Sequence, residues 1–352
     1  MGFPCLRYFV RTTSLTFFIF TVVLLVLLNL RWCLLRYCQH SLQRPLSRDT
    51  DSQKELLLDQ NKTYHMTSED FNTQQSRPQS VLDRSLEREM KRRREILDST
   101  CKRLHFKRKA KHYTASFFDN VLVLDPYKLL FSFIPKVSSS SWKQVLGDLM
   151  VRANASKLFT TLDKYSTEER DMRLETYKKA VFVREPINRL LSAWMSKFRD
   201  DPKDQERWEK YFGQKIVKRY RKSPPQSSKW LNITFMEFAQ FVTDYGPSCE
   251  IDTITNHFVP QNEICHPCHI NYQFIGHFEN LVVEGPYFLR WISADHLVSF
   301  PRFQPSAAGR SLKDELAVLP LRILDGLSKL YKRDYEMFGY SVEKTLDHAV
   351  SK

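Results

Sequence analysis

The chain is expected to fold as an α/β domain, with a central, mainly parallel sheet flanked by helices, preceded by a single transmembrane helix. Three stretches predict this. Leu129 to Met150 reads LLFSFIPKVSSSSWKQVLGDLM, and Lys178 to Phe198 reads KKAVFVREPINRLLSAWMSKF. Each passes from a short apolar run through a polar turn into a helical apolar stripe, the strand–loop–helix unit of an α/β fold. Residues 12–30 form the third, an apolar run of about 19 residues, near the length needed to cross a bilayer. The chain has 352 residues, so the part beyond that run can bury a sizeable core.

Taken in order, the first element is the apolar run. From Leu15 to Leu28 only Thr16 and Thr21 interrupt it. No small-residue cleavage site follows; Arg31, Trp32 and Cys33 do, which favours an uncleaved signal anchor. Basic residues lie on both sides, Arg7 and Arg11 before and Arg31 and Arg36 after. A short N-terminal tail and a large C-terminal body then set the expected type II orientation. This gives residues 1–11 as a cytoplasmic tail, 12–30 as the anchor, 31–83 as a luminal stem and 84–345 as the folded domain. Residues 40–80 are polar with few aromatics, as a flexible stem should be. Asn61, Asn154 and Asn232 each head an Asn-X-Ser/Thr sequon, expected as N-glycosylation sites in such a compartment.

Residues 84–112 carry twelve Lys or Arg against four Asp or Glu. Leu86, Met90, Leu97 and Leu104 trace a thin apolar stripe, which predicts a helix with a basic surface. Val121 to Leu124 and Leu129 to Ile134 flank Asp125-Pro126-Tyr127-Lys128, a turn sequence, and are expected to pair as a hairpin. Residues 165–179 read as a charged helix leading into the strand Ala180 to Val183. Residues 200–230, with Pro224-Pro225 and a basic cluster, read as a surface excursion. Phe235, Phe238, Phe241 and Val242 mark an amphipathic helix, and 272–283 a strand and turn. A helix from about Lys313 to Phe338, broken at Pro320, closes the domain.

The chemistry follows from the two turns. The first N–H groups of a helix lack intrahelical partners and sit at its positive end. A lysine and four hydroxyls placed there, Lys136 and Ser138 to Ser141, suit a phosphate or sulfate. The turn holds no glycine, so it is not a nucleoside-triphosphate loop of the G-x-x-x-x-G-K-[ST] type. In the second segment Arg184 ends the strand, Pro186 opens the helix, and Arg189 and Ser192 follow on it. Net charge is +14 and pI about 9.4, which points to polyanionic partners. The secretory features exclude nucleic acid and leave an acidic glycan.

These two segments resemble the cofactor-binding segments of the Golgi carbohydrate sulfotransferases of the HNK-1 and chondroitin 4-O-sulfotransferase family (sulfotransferase family 2). Further matches are N-H-F-V-P-Q at Asn256 to Gln261, C-H-P-C at Cys265 to Cys268, F-I-G-H-F-E-N-L at Phe274 to Leu281 and L-Y-K-R-D-Y-E-M-F-G-Y at Leu330 to Tyr340. The similarity runs from about Arg88 to Ser341. It implies a P-loop-like sulfotransferase fold in the Golgi membrane. It also implies transfer of sulfate from 3′-phosphoadenosine 5′-phosphosulfate (PAPS), with no metal, to a glycan hydroxyl, GalNAc O-4 of chondroitin or dermatan being the expected acceptor.

On that resemblance Pro135, Lys136, Val137, Ser138, Ser139, Ser140, Ser141 and Trp142 surround the 5′-phosphosulfate, with Lys136 on the leaving-group side. Arg184 and Ser192 hold the 3′-phosphate, and Arg189 assists. His257 is the expected general base, with His277 and Glu279 behind it. The family's cysteines before and within the loop are Ser132 and Ser139 here.

Cysteine usage adds two expectations. Cys101, Cys249, Cys265 and Cys268 would be luminal and could form two disulfides, in any of three pairings. The C-H-P-C pair lacks the second C-x-x-C of a zinc site. Two rival functions fit parts of the sequence: an inactive, membrane-anchored glycan-binding protein, suggested by the serine-rich loop, and a glycosyltransferase. The latter would use an acidic D-x-D, found only at Asp49-Thr50-Asp51 in the expected stem.

Overall fold

The structure is a computed structural model in which residues 79–106, 114–156, 159–223, 230–246, 255–301 and 307–350 are described. Among them no helix is long and apolar enough to cross a membrane. The expected anchor at 12–30, Asn61 and Cys249 lie outside the described residues.

A five-stranded sheet organises the domain, in the order β3-β1-β2-β4-β5. Its strands are β1 (Val121–Leu124), β2 (Leu129–Ser132), β3 (Thr160–Thr161), β4 (Lys178–Val183) and β5 (Phe274–His277). β2 runs parallel to β4, and β4 parallel to β5. β1 is antiparallel to both β2 and β3. The sheet is therefore parallel through its working half and antiparallel at one edge, because the hairpin turn at Asp125–Tyr127 reverses the chain in three residues. Every residue of β1, β2 and β5 is buried, as in sheets covered on both faces.

Helices flank the sheet. α1 (Gln79–Arg103) begins inside the segment expected as stem, and its Asp83 pairs with Arg290 at 2.6 Å. Its buried stripe includes Leu86, Met90, Leu97 and Cys101, with Arg93 filling the gap between Met90 and Leu97. Arg93 bonds both oxygens of Glu284, at 2.9 and 2.7 Å, and the Ile275 carbonyl at 2.8 Å, which docks α1 on β5. α2 (Ser139–Arg152) follows β2, and α3 (Thr167–Thr176) carries a capping box from Ser166 and Glu169.

α4 (Pro186–Trp194) follows β4 and runs into a π-helical turn, Met195–Arg199. Residues 200–223, the described part of the stretch 200–230 read as a surface excursion, are less of one than their polarity predicts. They form α5 (Pro202–Trp208), a second π turn and α6 (Gln214–Tyr220), which bury Trp208, Ile216 and Val217. α7 (Phe235–Tyr245) is the expected amphipathic helix; α8 (Gln261–Cys265) and α9 (Leu281–Trp291) bracket β5.

The closing helix is three: α10 (Ala307–Ala317), α11 (Leu321–Leu330) and α12 (Lys332–Phe338), followed by α13 (Val342–Val350). Pro320 makes the expected break. The second falls at Tyr331, whose hydroxyl is drawn into the core to donate to the Phe258 carbonyl.

An aromatic cluster fixes the site from behind. Trp142 on α2 packs on Phe182 at 4.6 Å, Phe300 at 4.4 Å and Phe131 at 5.5 Å between ring centroids. Burying rings of this size contributes several kcal/mol, on the order of 2 per side chain. The cluster anchors the start of α2 against β2 and β4.

Candidate active site

The turn after β2 has an unusual backbone. Lys136 has φ 71° and Ser138 φ 53°, both left-handed and neither glycine. Such residues cost on the order of 1 kcal/mol each and persist only where neighbours over-determine them. Here the neighbours are evident. Val137 is buried, its N–H donates to the Ile134 carbonyl, and the carbonyls of Pro135 and Lys136 are each held by an arginine. Left-handed turns of this kind gather N–H groups on one side, making a concave seat for an anion. The helix starts at Ser139, and its first internal bond runs from the Trp142 N–H to the Ser138 carbonyl at 3.0 Å. The N–H groups of Ser139, Ser140 and Ser141 thus belong to the open first turn.

Trp142 is placed differently from its expected role. Its backbone N–H is spent inside the helix and its indole is 1% exposed in the aromatic cluster. Its contribution is to hold the turn rather than to touch a ligand. Pro135 and Val137 likewise give their side chains to the interior, leaving only backbone toward the turn.

Lys136 and Arg184 meet. Arg184 Nη1 donates to the Lys136 carbonyl at 3.0 Å, and Nη2 to Asn188 Oδ1 at 2.9 Å. The guanidinium also stacks 4.1 Å from the Phe278 ring centroid. Lys136 Nζ donates to Ser196 Oγ at 2.7 Å, and among the described residues no carboxylate lies within ion-pair distance of it. Burial, reinforced by the nearby charges of Lys197 and Arg184, pulls the Lys136 ammonium down to about 8. Burial pulls Arg184 down to about 10, against the opposing fields of Glu279 and Glu185. Both shifts mark cations whose charge is costly to bury, a cost that an anion placed beside them would offset.

Arg189 does another job than assisting at the 3′-phosphate. It is 1% exposed, and its guanidinium donates to three carbonyls: Pro135 at 3.0 Å, Val259 at 2.8 Å and Asn256 at 2.5 Å. One side chain therefore ties the lysine turn to the segment that carries His257. Lys136 and His257 each follow a carbonyl held by this guanidinium, so they lie close together although 121 residues of sequence separate positions 136 and 257. His257 ends a short 3-10 turn, Thr255–His257, and its ring meets Trp208 edge-on at 5.4 Å. Ser192 lies half-buried on α4, two turns beyond Arg184.

The remaining sequence candidates are structural. His277 is 4% exposed; its Nε2 bonds the Phe338 carbonyl at 3.0 Å and its ring stacks on Tyr340. Glu279 accepts from the Glu185 N–H at 2.9 Å and the Tyr340 hydroxyl at 2.8 Å. Glu279 thus fixes the Arg184 turn from outside, and His277 packs on the tyrosine that bonds it. Glu185 caps α4 by accepting from the Asn188 N–H at 2.6 Å. Gln261 clasps the Arg184 backbone on both sides, at 2.9 and 2.7 Å. Asp334, fully buried, caps α8 through the Gln261 and Asn262 N–H groups at 2.7 and 2.8 Å.

Sequence reading missed Ser196, Gln261 and Asp334. The last two sat inside quoted motifs, where they could have been found as polar residues amid apolar ones. Ser196 carried no signal, because the π turn sets its direction.

Cysteines give one disulfide, Cys101–Cys268, and Cys265 is a buried free thiol. Among the described residues no second pair forms, Cys249 lying outside them, and C-H-P-C is not a metal half-site because Cys268 is bonded. Among the described residues no group of three or more His, Cys, Asp or Glu is placed to hold a metal. Ser132 Oγ, at a family cysteine position, shares a 2.6 Å hydrogen bond with the Tyr272 hydroxyl, which donates to the Cys265 carbonyl.

Residues 119–341 match the family model described as "Sulfotransferase family". Carbohydrate sulfotransferase 14 of Homo sapiens is 31% identical over 242 residues, 65% of this chain and 62% of that one. Carbohydrate sulfotransferase 11 of Rattus norvegicus is 30% identical over 275 residues, 72% of this chain and 76% of that one. Carbohydrate sulfotransferase 10 of Mus musculus is 30% identical over 270 residues, 70% and 74% of the two chains. The match thus spans somewhat less than two thirds of the first relative, and no solved structure matches. Because the family match at residues 119–341 covers more than half of the chain and takes in both turns, the chain belongs to the sulfotransferase family.

Proposed function

We propose that this protein is a Golgi carbohydrate O-sulfotransferase that uses PAPS and acts on a hydroxyl of an acidic glycan, GalNAc O-4 of chondroitin or dermatan being the expected acceptor. The observation that carries the reading is the meeting of Lys136 and Arg184 at the ends of adjacent parallel strands, within a turn built to seat an anion. Crevices at the carboxyl ends of parallel strands are where α/β folds bind ligands. The names of the relatives support the reaction class.

PAPS supplies the sulfuryl group and departs as a bisphosphate. The first-turn N–H groups and hydroxyls of Ser138 to Ser141 bind its 5′ side. Lys136 neutralises charge gathering on the leaving group as the phosphate–sulfate bond breaks. Arg184 and Ser192 bind the 3′-phosphate. For Arg184 this means that the phosphate takes the place of Asn188 Oδ1 on Nη2. His257 accepts the proton of the attacking sugar hydroxyl as its oxygen bonds to sulfur. Arg189 touches no reactant and sets the distance between Lys136 and His257. The reading retains residues 12–30 as a type II anchor with the domain in the lumen.

The test is incubation of the full-length chain with labelled PAPS and a panel of chondroitin, dermatan, heparan and N-glycan acceptors. Lys136→Ala and Arg184→Ala should abolish incorporation while thermal unfolding stays cooperative. Transfer retained by either variant overturns the assignment. The serine-substituted loop, Ser132 and Ser139, motivates a second reading, an inactive glycan-binding protein; failure to bind the desulfated donor product in calorimetry would favour it.

A further inference from the structure

We propose that Asn232 carries an N-linked glycan whose first sugar ring lies on the indole of Trp230. This rests on the luminal placement of the domain. From 230 to 235 the chain alternates strictly: Leu231, Ile233 and Phe235 are 2%, 2% and 1% exposed, whereas Trp230, Asn232 and Thr234 face solvent. The inward set is pinned at each step. The Leu231 N–H donates to buried Glu209, and the Ile233 carbonyl accepts from the Trp194 indole at 2.8 Å. Leu231 packs so closely on the π turn of residues 209–213 that a Cβ on Gly213 would meet it at 2.8 Å. Arg221 adds a hydrogen bond to the Asn232 carbonyl at 3.1 Å. With 231, 233 and 235 fixed inward, Trp230 and Asn232 are both left facing solvent, with one buried residue between them.

Trp230 is otherwise unexplained. At 61% exposure it is the most exposed large aromatic among the described residues, and its φ of 57° is strained for a tryptophan. A pyranose has an apolar C–H face, and an indole fixed beside its attachment point offers a matching surface. Asn232, two residues on, is likewise exposed and left-handed, at φ 47°. Thr234, the third sequon residue, has its hydroxyl fixed in a capping box with Glu237. Asn154 supplies the contrast. It is exposed, but residue 152, two positions before it, is an arginine.

The test is glycopeptide mapping of the full-length chain from secretory eukaryotic cells, with melting temperatures for wild type, Trp230→Ala, Asn232→Gln and the double variant. Asn232 should be occupied. Each single variant should lower Tm by about 2–4 °C, and the double variant no further, because both remove the same contact. An empty Asn232 beside an occupied Asn61 or Asn154 overturns this proposal and leaves the luminal reading standing. If all three are empty, both fall. Additive losses in the double variant overturn it as well.

Discussion

Lys136 carries a charge that its surroundings resist, and that makes it pH-sensitive. Burial pulls its ammonium down to about 8. A bound anion favours the charged form, so donor binding takes up a proton once pH exceeds that value. Affinity for the desulfated donor product should therefore be flat below pH 7 and weaken about tenfold per pH unit above roughly 9. Lys136→Arg should remove the dependence while keeping the charge, since guanidinium stays protonated. Calorimetry across this range decides; an unchanged slope in the arginine variant would place the titration elsewhere. Arg189 invites a different experiment. Arg189→Lys keeps the charge but can satisfy only part of a three-carbonyl clamp. Loss of two such bonds should cost about 3 kcal/mol of stability. It should also lower kcat far more than it changes KM for donor, because it shifts His257 against Lys136 without touching the nucleotide. A variant whose KM alone moves would make Arg189 a ligand contact after all.

The elements were legible where pattern and punctuation agree. β2, the anion turn and α2 could be read from an apolar run, a proline and a 3.6-residue stripe; β4 and α4 likewise from V-R-E-P. The hairpin at Asp125 and the break at Pro320 followed from turn chemistry. What stayed hidden was long-range. The gap in the α1 stripe is filled by Arg93, whose partner Glu284 lies 191 residues away, and no local period contains that. Residues 200–230 read as surface because they are charged, yet a few apolar residues, Trp208, Ile216 and Val217, suffice to bury two short helices. Arg189 looked like a ligand contact since arginine near a phosphate turn usually is; only the fold shows three carbonyls around it. β5 contains a further case. Gly276 in F-I-G-H-F-E-N-L has ordinary φ, but a Cβ there would meet the Phe182 ring at 2.2 Å. Gly276→Ala should destabilise by about 1–3 kcal/mol as the aromatic cluster is pushed apart, read as a lower denaturation midpoint at unchanged m. A neutral result would mean that Phe182 has room to turn.

At the scale of the molecule, the binding turns and the segments that brace them form a shell drawn from distant parts of the chain. The N-H-F-V-P-Q segment clasps Arg184 through Gln261, the L-Y-K-R-D-Y segment caps that segment through Asp334 and Tyr331, and the F-E-N-L segment holds Glu185 and Tyr340 through Glu279. α1 closes the shell from the N-terminal side and is fastened by Arg93 to Glu284, by Asp83 to Arg290 and by Cys101 to Cys268. The disulfide spans 167 residues, so in the chain-entropy account its removal costs about 5 kcal/mol, the upper end of measured values. Arg93 remains in the reduced protein and should keep α1 docked. On the proposed function, Cys101→Ser should thus lower stability by several kcal/mol while the native protein still binds the donor product with unchanged affinity, because the bridge joins α1 to the segment after α8 and lies in neither turn. Cys265 provides the readout. Its thiol is fully buried and burial raises its pKa, so it is inert toward alkylation while the domain is folded. Alkylation of Cys265 in rising denaturant, followed by peptide mapping, should report opening earlier in Cys101→Ser than in wild type, with the same affinity for the donor product before the transition. A loss of that affinity in native Cys101→Ser would show instead that α1 shapes the nucleotide seat, not merely its enclosure.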